Sequence, residues 1–248
     1  ANTTGTRNVA MGAYALDINT TANDNTGVGY AALSDNTTGA NNTAFGSEAL
    51  LFNSTASNNT AVGSDALRAN LTGIANTAVG REALGNNTTG NYNTALGGDV
   101  PGNANAPLKI NTTGSFNVAI GNAALSANTT ASSNTVMGYK SLFTNTTGGL
   151  NTSLGFLAGG AVTDGAQNTF IGSNAGDAIT TGDQNILIGY VATASIVDAQ
   201  NQIVLGAGVT CVGNSNFTFG GGTSDSNIAN GATSITAPSD IRLKEDIQ

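Results

Sequence analysis

Four acidic residues that recur every 17 positions form the first group in this sequence that could do chemistry: Glu48, Asp65, Glu82 and Asp99. If the chain coils with that period, their carboxylates stack about 5 Å apart, and like charges at that distance repel unless water or a cation separates them. The column is either a solvated outer face or a strip that binds Ca²⁺ or a cationic receptor. General acid–base catalysis needs two carboxyl groups in unequal environments. A regular column does not supply them, so we expect neither a cofactor nor turnover of an external substrate.

Aromatic residues occupy a second recurring position, one residue before the acidic one, and they are Tyr30, Tyr139, Phe156 and Tyr190. Exposed aromatic rings suit stacking on sugar rings, and the same rings also pack well between neighbouring chains. Both interpretations stay open at this point. The glycine-rich stretch 206–213 lacks the G-K-[ST] ending of a phosphate-binding loop, and we interpret it as the end of the regular repeat.

One glycine sets the register that places these residues. It recurs 17 residues apart in two runs, separated by a single step of 24: Gly12, Gly29, Gly46, Gly63, Gly80 and Gly97, then Gly121, Gly138, Gly155, Gly172, Gly189 and Gly206. A fixed period of this length is typical of stacked supersecondary units. We predict an all-β fold, a parallel β-roll or β-helix solenoid of about twelve 17-residue coils, which stack into a rod ~55–60 Å long.

Each repeat begins with a short segment of the type N-T-A-V-G, whose first residue we number 1. Position 4 is large and apolar in every repeat and position 2 is mostly Thr, which suits a pleated strand. We expect positions 2 and 4 to face inward, with Leu at position 9 as the second core residue. Asn and Gly at positions 12–15 indicate a turn, and the A-L segments, such as 47–52, have room for one helical turn at most. We expect the Asn columns at positions 1 and 12 to hydrogen-bond from coil to coil.

Two departures from the repeat are visible. The step of 24 adds residues within 98–110, which contain Pro101 and Pro107, and this insertion is either a surface loop or a recognition loop. In the last coils the apolar residue moves from position 9 to position 12, which predicts a changed cross-section. The residues at position 9 are Gly159, Gly176 and Thr193, and those at position 12 are Val162, Ile179 and Ile196.

Composition excludes several classes of function. The net charge is −8, with seven basic residues and no His, so the chain lacks the basic stripe that nucleic acid requires. No apolar run approaches the roughly 20 residues of a membrane span, and the single Cys211 cannot form a disulfide within the chain. Aromatic residues are only 5% of the chain. A coil with one or two large apolar residues is thin for a stable monomer, and we expect a homotrimer.

The repeat resembles that of a known class of fibre proteins. N-V-A-M-G, N-V-A-I-G and N-T-A-V-G are similar to the N-S-V-A-I-G repeat of trimeric autotransporter adhesin heads, which form trimeric left-handed parallel β-rolls. The longer repeat with N-T-T-G is similar to repeats of phage-type tail fibres. The resemblance covers residues 8–206 and implies a homotrimer that binds a bacterial surface glycan or protein receptor and joins an upstream fibre or baseplate protein.

The last ten residues, S-D-I-R-L-K-E-D-I-Q, differ abruptly from the rest, because five of them are charged. A charged C-terminal tail is one interpretation. S-D-x-R-L-K-x-x-I also resembles the start of the intramolecular chaperone domain of endosialidase-type phage tail spikes and fibres, which releases itself by cleavage before its serine. The resemblance implies that Ser239 is the nucleophile and Lys244 its base, with Asp240 and Arg242 in support. Lysine can act as a base when desolvation lowers its pKa. The rest of that domain is absent from this sequence, so we expect no proteolytic activity from this chain alone.

We therefore predict three segments: a repeat β-roll fibre domain over 1–213, a C-terminal cap or neck over 214–238, and the start of a chaperone domain over 239–248. The chain begins within a repeat, and we expect a piece of a longer protein. The expected function is a tail-fibre or adhesion-fibre shaft or tip, on a virion tail or a cell surface. The alternatives are an outer-membrane trimeric adhesin head, an ice-binding protein with ordered Thr columns, and a polysaccharide-degrading spike with paired carboxylates.

Overall fold

The computed structural model describes residues 2–99, 105–221 and 225–229, and in this part of the chain it is an all-β solenoid of twelve coils, as predicted. Each coil contributes one three-residue strand and several turns. The strands are β1 (Val9–Met11), β2 (Thr26–Val28), β3 (Thr43–Phe45), β4 (Thr60–Val62), β5 (Thr77–Val79), β6 (Thr94–Leu96), β7 (Val118–Ile120), β8 (Thr135–Met137), β9 (Thr152–Leu154), β10 (Thr169–Ile171), β11 (Ile186–Ile188) and β12 (Ile203–Leu205), followed by β13 (Asn216–Phe219) and β14 (Ser226–Ala229).

The strands form one sheet in sequence order, and neighbours pair in parallel from β1 to β13. Equivalent residues of successive coils stand directly opposite each other, for example Thr60 against Thr77 and Val62 against Val79. The insertion does not disturb this register, because Thr94 pairs with Val118 across the step of 24. β14 then pairs antiparallel with β13, which ends the parallel stack.

The core is narrower than we expected, and the prediction that positions 2 and 4 face inward is wrong. Position 3 faces inward instead, where Ala44, Ala61 and Ala78 are fully buried. Position 9 supplies the large core residue, as predicted for Leu: Leu16, Leu33, Leu50, Leu67, Leu84, Leu108, Leu125 and Leu142 are buried. Leu16 lies so close to the strand of the next coil that a β-carbon on Gly27 would be 3.4 Å from its Cγ. The space opposite the Leu column therefore admits Ala but nothing larger.

The late coils confirm this limit by reversing it. Phe170 occupies position 3 and is fully buried, and a β-carbon on Gly159 or Gly176 would lie 2.6 or 2.2 Å from its ring. The glycines at position 9 thus make room for a large residue on the strand. Val162 and Ile179 are buried at position 12, as expected, but the same prediction is wrong for Ile196, which is 47% exposed.

The A-L segments do not form the single helical turns that we allowed. Residues at positions 7 and 9 have positive φ, for example 57° at Glu48 and 52° at Leu50. A right-handed helical turn needs negative φ at every residue, so these segments are chains of tight turns. Their backbone groups bond mainly to the next coil, as in Leu50 N–H to Ala66 C=O at 3.0 Å.

Two buried columns of asparagine connect the coils. At position 1, the Asn59 side chain accepts from the Asn76 N–H at 2.9 Å, and Asn76 repeats this with Asn93. At position 12, Asn87 Nδ2 donates to Asn70 Oδ1 at 2.8 Å. Both columns also bond the carbonyl at position 15 of their own coil. The sequence prediction of bonded Asn columns is thus confirmed, and these are the residues that N-x-T tripeptides would offer for glycosylation.

The position-12 column stops where the sequence changes. Asn145 is its last member, because Val162 occupies that position in the next coil. The Oδ1 atoms of Asn128 and Asn145 are buried without a hydrogen-bond partner. The early and late coils therefore meet at a junction that is less well satisfied than the rest of the stack.

Replacing Asn76 with Ala is expected to lower the free energy of unfolding by about 2–3 kcal/mol, because it leaves the buried Asn93 N–H without an acceptor and removes a second bond to Gly90. The matched control is Asn86→Ala in the same coil, where the side chain is exposed and the expected change is below about 0.5 kcal/mol. Urea unfolding followed by circular dichroism compares the two. Equal effects of both substitutions would contradict a stabilising role for the column.

Candidate functional site

The outer face of the sheet is lined by large apolar side chains along the length of the rod. Positions 2 and 4 both point outward, and the residues at each position lie in register from coil to coil. Exposure is high for side chains of this kind, 57% for Phe45 and 66% for Met11. The exposed members are Val9, Met11, Phe45, Val79, Met137, Leu154, Ile186, Ile203 and Leu205. We call this surface the strand face.

Aromatic residues flank the strand face on both sides. The expected position-6 residues are exposed, and Tyr139 and Phe156 stack with ring centroids 5.5 Å apart. Sequence reasoning missed a second column at position 17, where Tyr92 and Phe116 stack at 5.1 Å and Leu150 is 58% exposed. Their 17- and 24-residue spacing was the available signal. Since these rings adjoin the strand face, the apolar surface is wider than the strands themselves.

The outward Thr residues bear on the ice-binding alternative. Thr43, Thr60 and Thr77 lie on the strand face, so the argument that position 2 faces inward no longer opposes ice binding. The neighbouring position-4 residues do oppose it. They alternate among Phe, Val, Met and Leu, and side chains of unequal size do not make a flat, regular array.

The acidic column is neutralised by basic side chains. Arg68 Nε lies 2.7 Å from Glu48 Oε2 and 3.4 Å from Asp65 Oδ1. Arg81 Nη2 lies 2.7 Å from Glu82. Lys109 contacts Glu82 and lies 3.8 Å from Asp99. The column is therefore an ion-pair network, neither the bare solvated column nor the carboxylate strip that the sequence suggested. Within the described residues, no group of His, Cys, Asp or Glu is arranged to hold a metal ion.

A surface pocket of about 270 Å³ lies within this network. We call it the charged pocket, and its polar lining consists of Glu48, Asp65, Arg68, Glu82, Asn86 and Lys109. Arg68 and Lys109 are both at position 10, one coil on either side of Gly85. Sequence reasoning missed the basic partners, because Lys109 comes into register only after the insertion has been subtracted.

A further ion pair closes the first coil. Arg7 bonds Asp24 through Nε at 2.5 Å and Nη2 at 2.7 Å. This hydrogen-bonded pairing lowers the pKa of Asp24. A lowered carboxyl pKa contributes stability above the unfolded value, and that contribution is lost as pH falls through the folded pKa. Both side chains are exposed, so the contribution is small.

The predicted self-cleavage residues, Ser239, Asp240, Arg242 and Lys244, lie outside the described residues, so their assignment stays a prediction. In the described part of the chain, no helix is long and apolar enough to cross a membrane. Comparison with protein families, with curated proteins and with solved structures finds no match to this chain.

Proposed function

We propose that this chain is the shaft or tip of a homotrimeric tail fibre or adhesion fibre, which binds a receptor on a bacterial surface. The strand face is the observation that carries the proposal. Monomeric soluble proteins rarely expose contiguous apolar patches larger than a few hundred Å², and this face runs through every coil from Met11 to Leu205. Such a surface is stable in water only when another apolar surface covers it.

Two further copies of the same chain are the partners that fit the strand face best. The face is nearly uncharged and repeats every coil, so an identical face in the same register matches it along the whole rod. Three such faces can close around one axis and leave no copy uncovered. The number three is supported by the thin core of each coil and by the resemblance of N-T-A-V-G to the repeats of trimeric adhesin heads.

The rod itself suits a role in adhesion. A solenoid presents long side walls with evenly spaced side chains, and the two remaining walls stay available when the strand face is covered. The receptor is then a glycan or a protein of a bacterial surface, and the location is a virion tail or an extracellular fibre. Upstream fibre or baseplate proteins attach at its end.

Adhesion is tested by incubating the fluorescently labelled chain with a panel of bacterial strains and measuring retained fluorescence by flow cytometry. We expect saturable binding to a subset of strains, which excess unlabelled protein displaces. Uniform, unsaturable retention on all strains, or none on any, would contradict receptor binding.

Maturation by self-cleavage is a separate prediction. When the complete natural reading frame is expressed, we expect a product that ends at Pro238, because Ser239 attacks the carbonyl of the preceding residue. Ser239→Ala should keep the junction intact, and Ser234→Ala, a serine outside the motif, should leave cleavage unchanged. Intact-mass measurement reads all three. Cleavage that persists in Ser239→Ala would exclude the predicted nucleophile.

A further inference from the structure

We propose that the charged pocket binds one neutral sugar residue, a hexose or an N-acetylhexosamine, of the receptor glycan. This inference rests on the proposed function, which it narrows to one ligand class and one site. The pocket lies on the segment of positions 6–11, beyond the glycine that ends each strand. It is thus separate from the strand face and stays accessible when that face is covered.

Gly85 opens the pocket. Position 10 carries long side chains in the neighbouring coils, Arg68 on one side and Lys109 on the other, and the glycine leaves the space between them empty. Its backbone does not require glycine, since it lacks the positive φ of the position-5 column, and an added β-carbon would lie 3.1 Å from the nearest atom, Glu82 O. The absence of a side chain therefore creates room and does not relieve strain.

The balance of charge selects a neutral ligand. Arg68 is paired with Glu48 and Asp65, and Lys109 with Glu82. A charged ligand would have to separate one of these pairs. A sugar hydroxyl can donate to the free carboxylate lone pairs and accept from the remaining guanidinium, ammonium and amide N–H groups. The pocket thus offers donors and acceptors side by side, as a polyhydroxylated ring requires.

The walls of the pocket are held in place before any ligand arrives. The Arg68 guanidinium bonds Glu48 and also lies 4.8 Å from the centre of the Phe52 ring. Glu82 and Lys109 are each only 19% exposed. Side chains that are already ordered lose little conformational entropy on binding. The volume of about 270 Å³ is just under the range of ~300–1,000 Å³ for drug-sized ligands, which fits a single sugar residue.

The test uses the full chain and four neutral sugars as probes: glucose, galactose, mannose and N-acetylglucosamine. Saturation-transfer NMR and titration calorimetry are expected to show that at least one binds with a Kd of about 1 mM. Gly85→Ser fills the pocket and should weaken binding at least tenfold. Gly160→Ser is the matched control, because Gly160 occupies position 10 of another coil and its β-carbon would also lie 3.1 Å from a backbone oxygen. It should bind the sugar like the wild type.

A second variant keeps the test decisive if Gly85→Ser does not fold. Asn86→Ala removes an exposed amide from the pocket wall and should weaken binding several-fold without changing the circular dichroism spectrum. Wild-type chain that binds none of the four sugars, or variants that bind as well as the wild type, would overturn the pocket assignment. Cell binding separates the two proposals. If the wild type and Gly85→Ser adhere to cells equally, the pocket assignment fails and adhesion stands, whereas a lack of all cell binding removes the proposed function.

Discussion

A double substitution on the strand face, Met137→Asp with Leu154→Asp, is expected to convert the trimer into folded monomers at micromolar concentration. The two residues are direct neighbours in the parallel sheet, and each is 45% exposed on a single chain. In the trimer they would be covered, so six carboxylates would be taken out of water together. The effective penalty is several kcal/mol for each unpaired ion, which exceeds the apolar gain of two coils. The measurement is sedimentation velocity, with circular dichroism to show that the monomer stays folded.

The control for this prediction places the same two charges elsewhere. Leu71 and Ile110 are 45% and 39% exposed and lie at positions 13 and 11, away from the strand face. Leu71→Asp with Ile110→Asp is expected to leave the trimer intact. If the control dissociates and the strand-face variant does not, the subunits meet through a different wall of the solenoid.

Replacing Gly80 with Ala is expected to lower the free energy of unfolding by about 3–5 kcal/mol. The backbone at Gly80 has φ +124°, which side chains rarely adopt, and a β-carbon there would lie 2.3 Å from the Gly97 carbonyl oxygen. The same contact recurs at each position-5 glycine, since each one stacks directly on the glycine of the next coil. In a solenoid each repeat contacts only its neighbours, so the fifth coil should open first. Urea unfolding gives the total effect, and hydrogen exchange locates it.

Gly27→Ala is the control for that loss. Gly27 lies at position 3, where most early coils have Ala, and its φ is not in the left-handed region. An added β-carbon would be 3.1 Å from Ala32 O and 3.4 Å from Leu16. We expect a change within about 1 kcal/mol of zero, because glycine itself is unfavourable in a strand. A loss at Gly27 as large as that at Gly80 would mean that stacking contacts do not explain the glycine register.

Periodicity predicted the architecture, because a glycine every 17 residues leaves few alternatives to stacked coils. It did not predict which side of the strand faces inward. A period of two says only that positions 2 and 4 share a face, and hydrophobicity favoured the wrong one. The deciding quantity is the width of the coil, which Leu67 at position 9 and the Asn columns already fill, so that only Ala61 fits opposite.

The candidate surfaces were predictable only in part. Position-6 aromatics and the acidic column were visible as columns in the sequence. The ion pairs were not, since Arg68 and Glu48 are 20 residues apart and meet only because coils differ in which position carries the charge. Lys109 is harder still, because the insertion hides its register. The pocket at Gly85 depends on a missing side chain between two long ones, a feature of three coils at once.

Sedimentation equilibrium of the wild-type chain tests the trimeric fibre most directly. The chain has a mass of 24.4 kDa, and we expect a single species of three times that mass from low micromolar concentration upward. A well-folded species of 24.4 kDa across the same range, with the strand face open to water, would contradict the account.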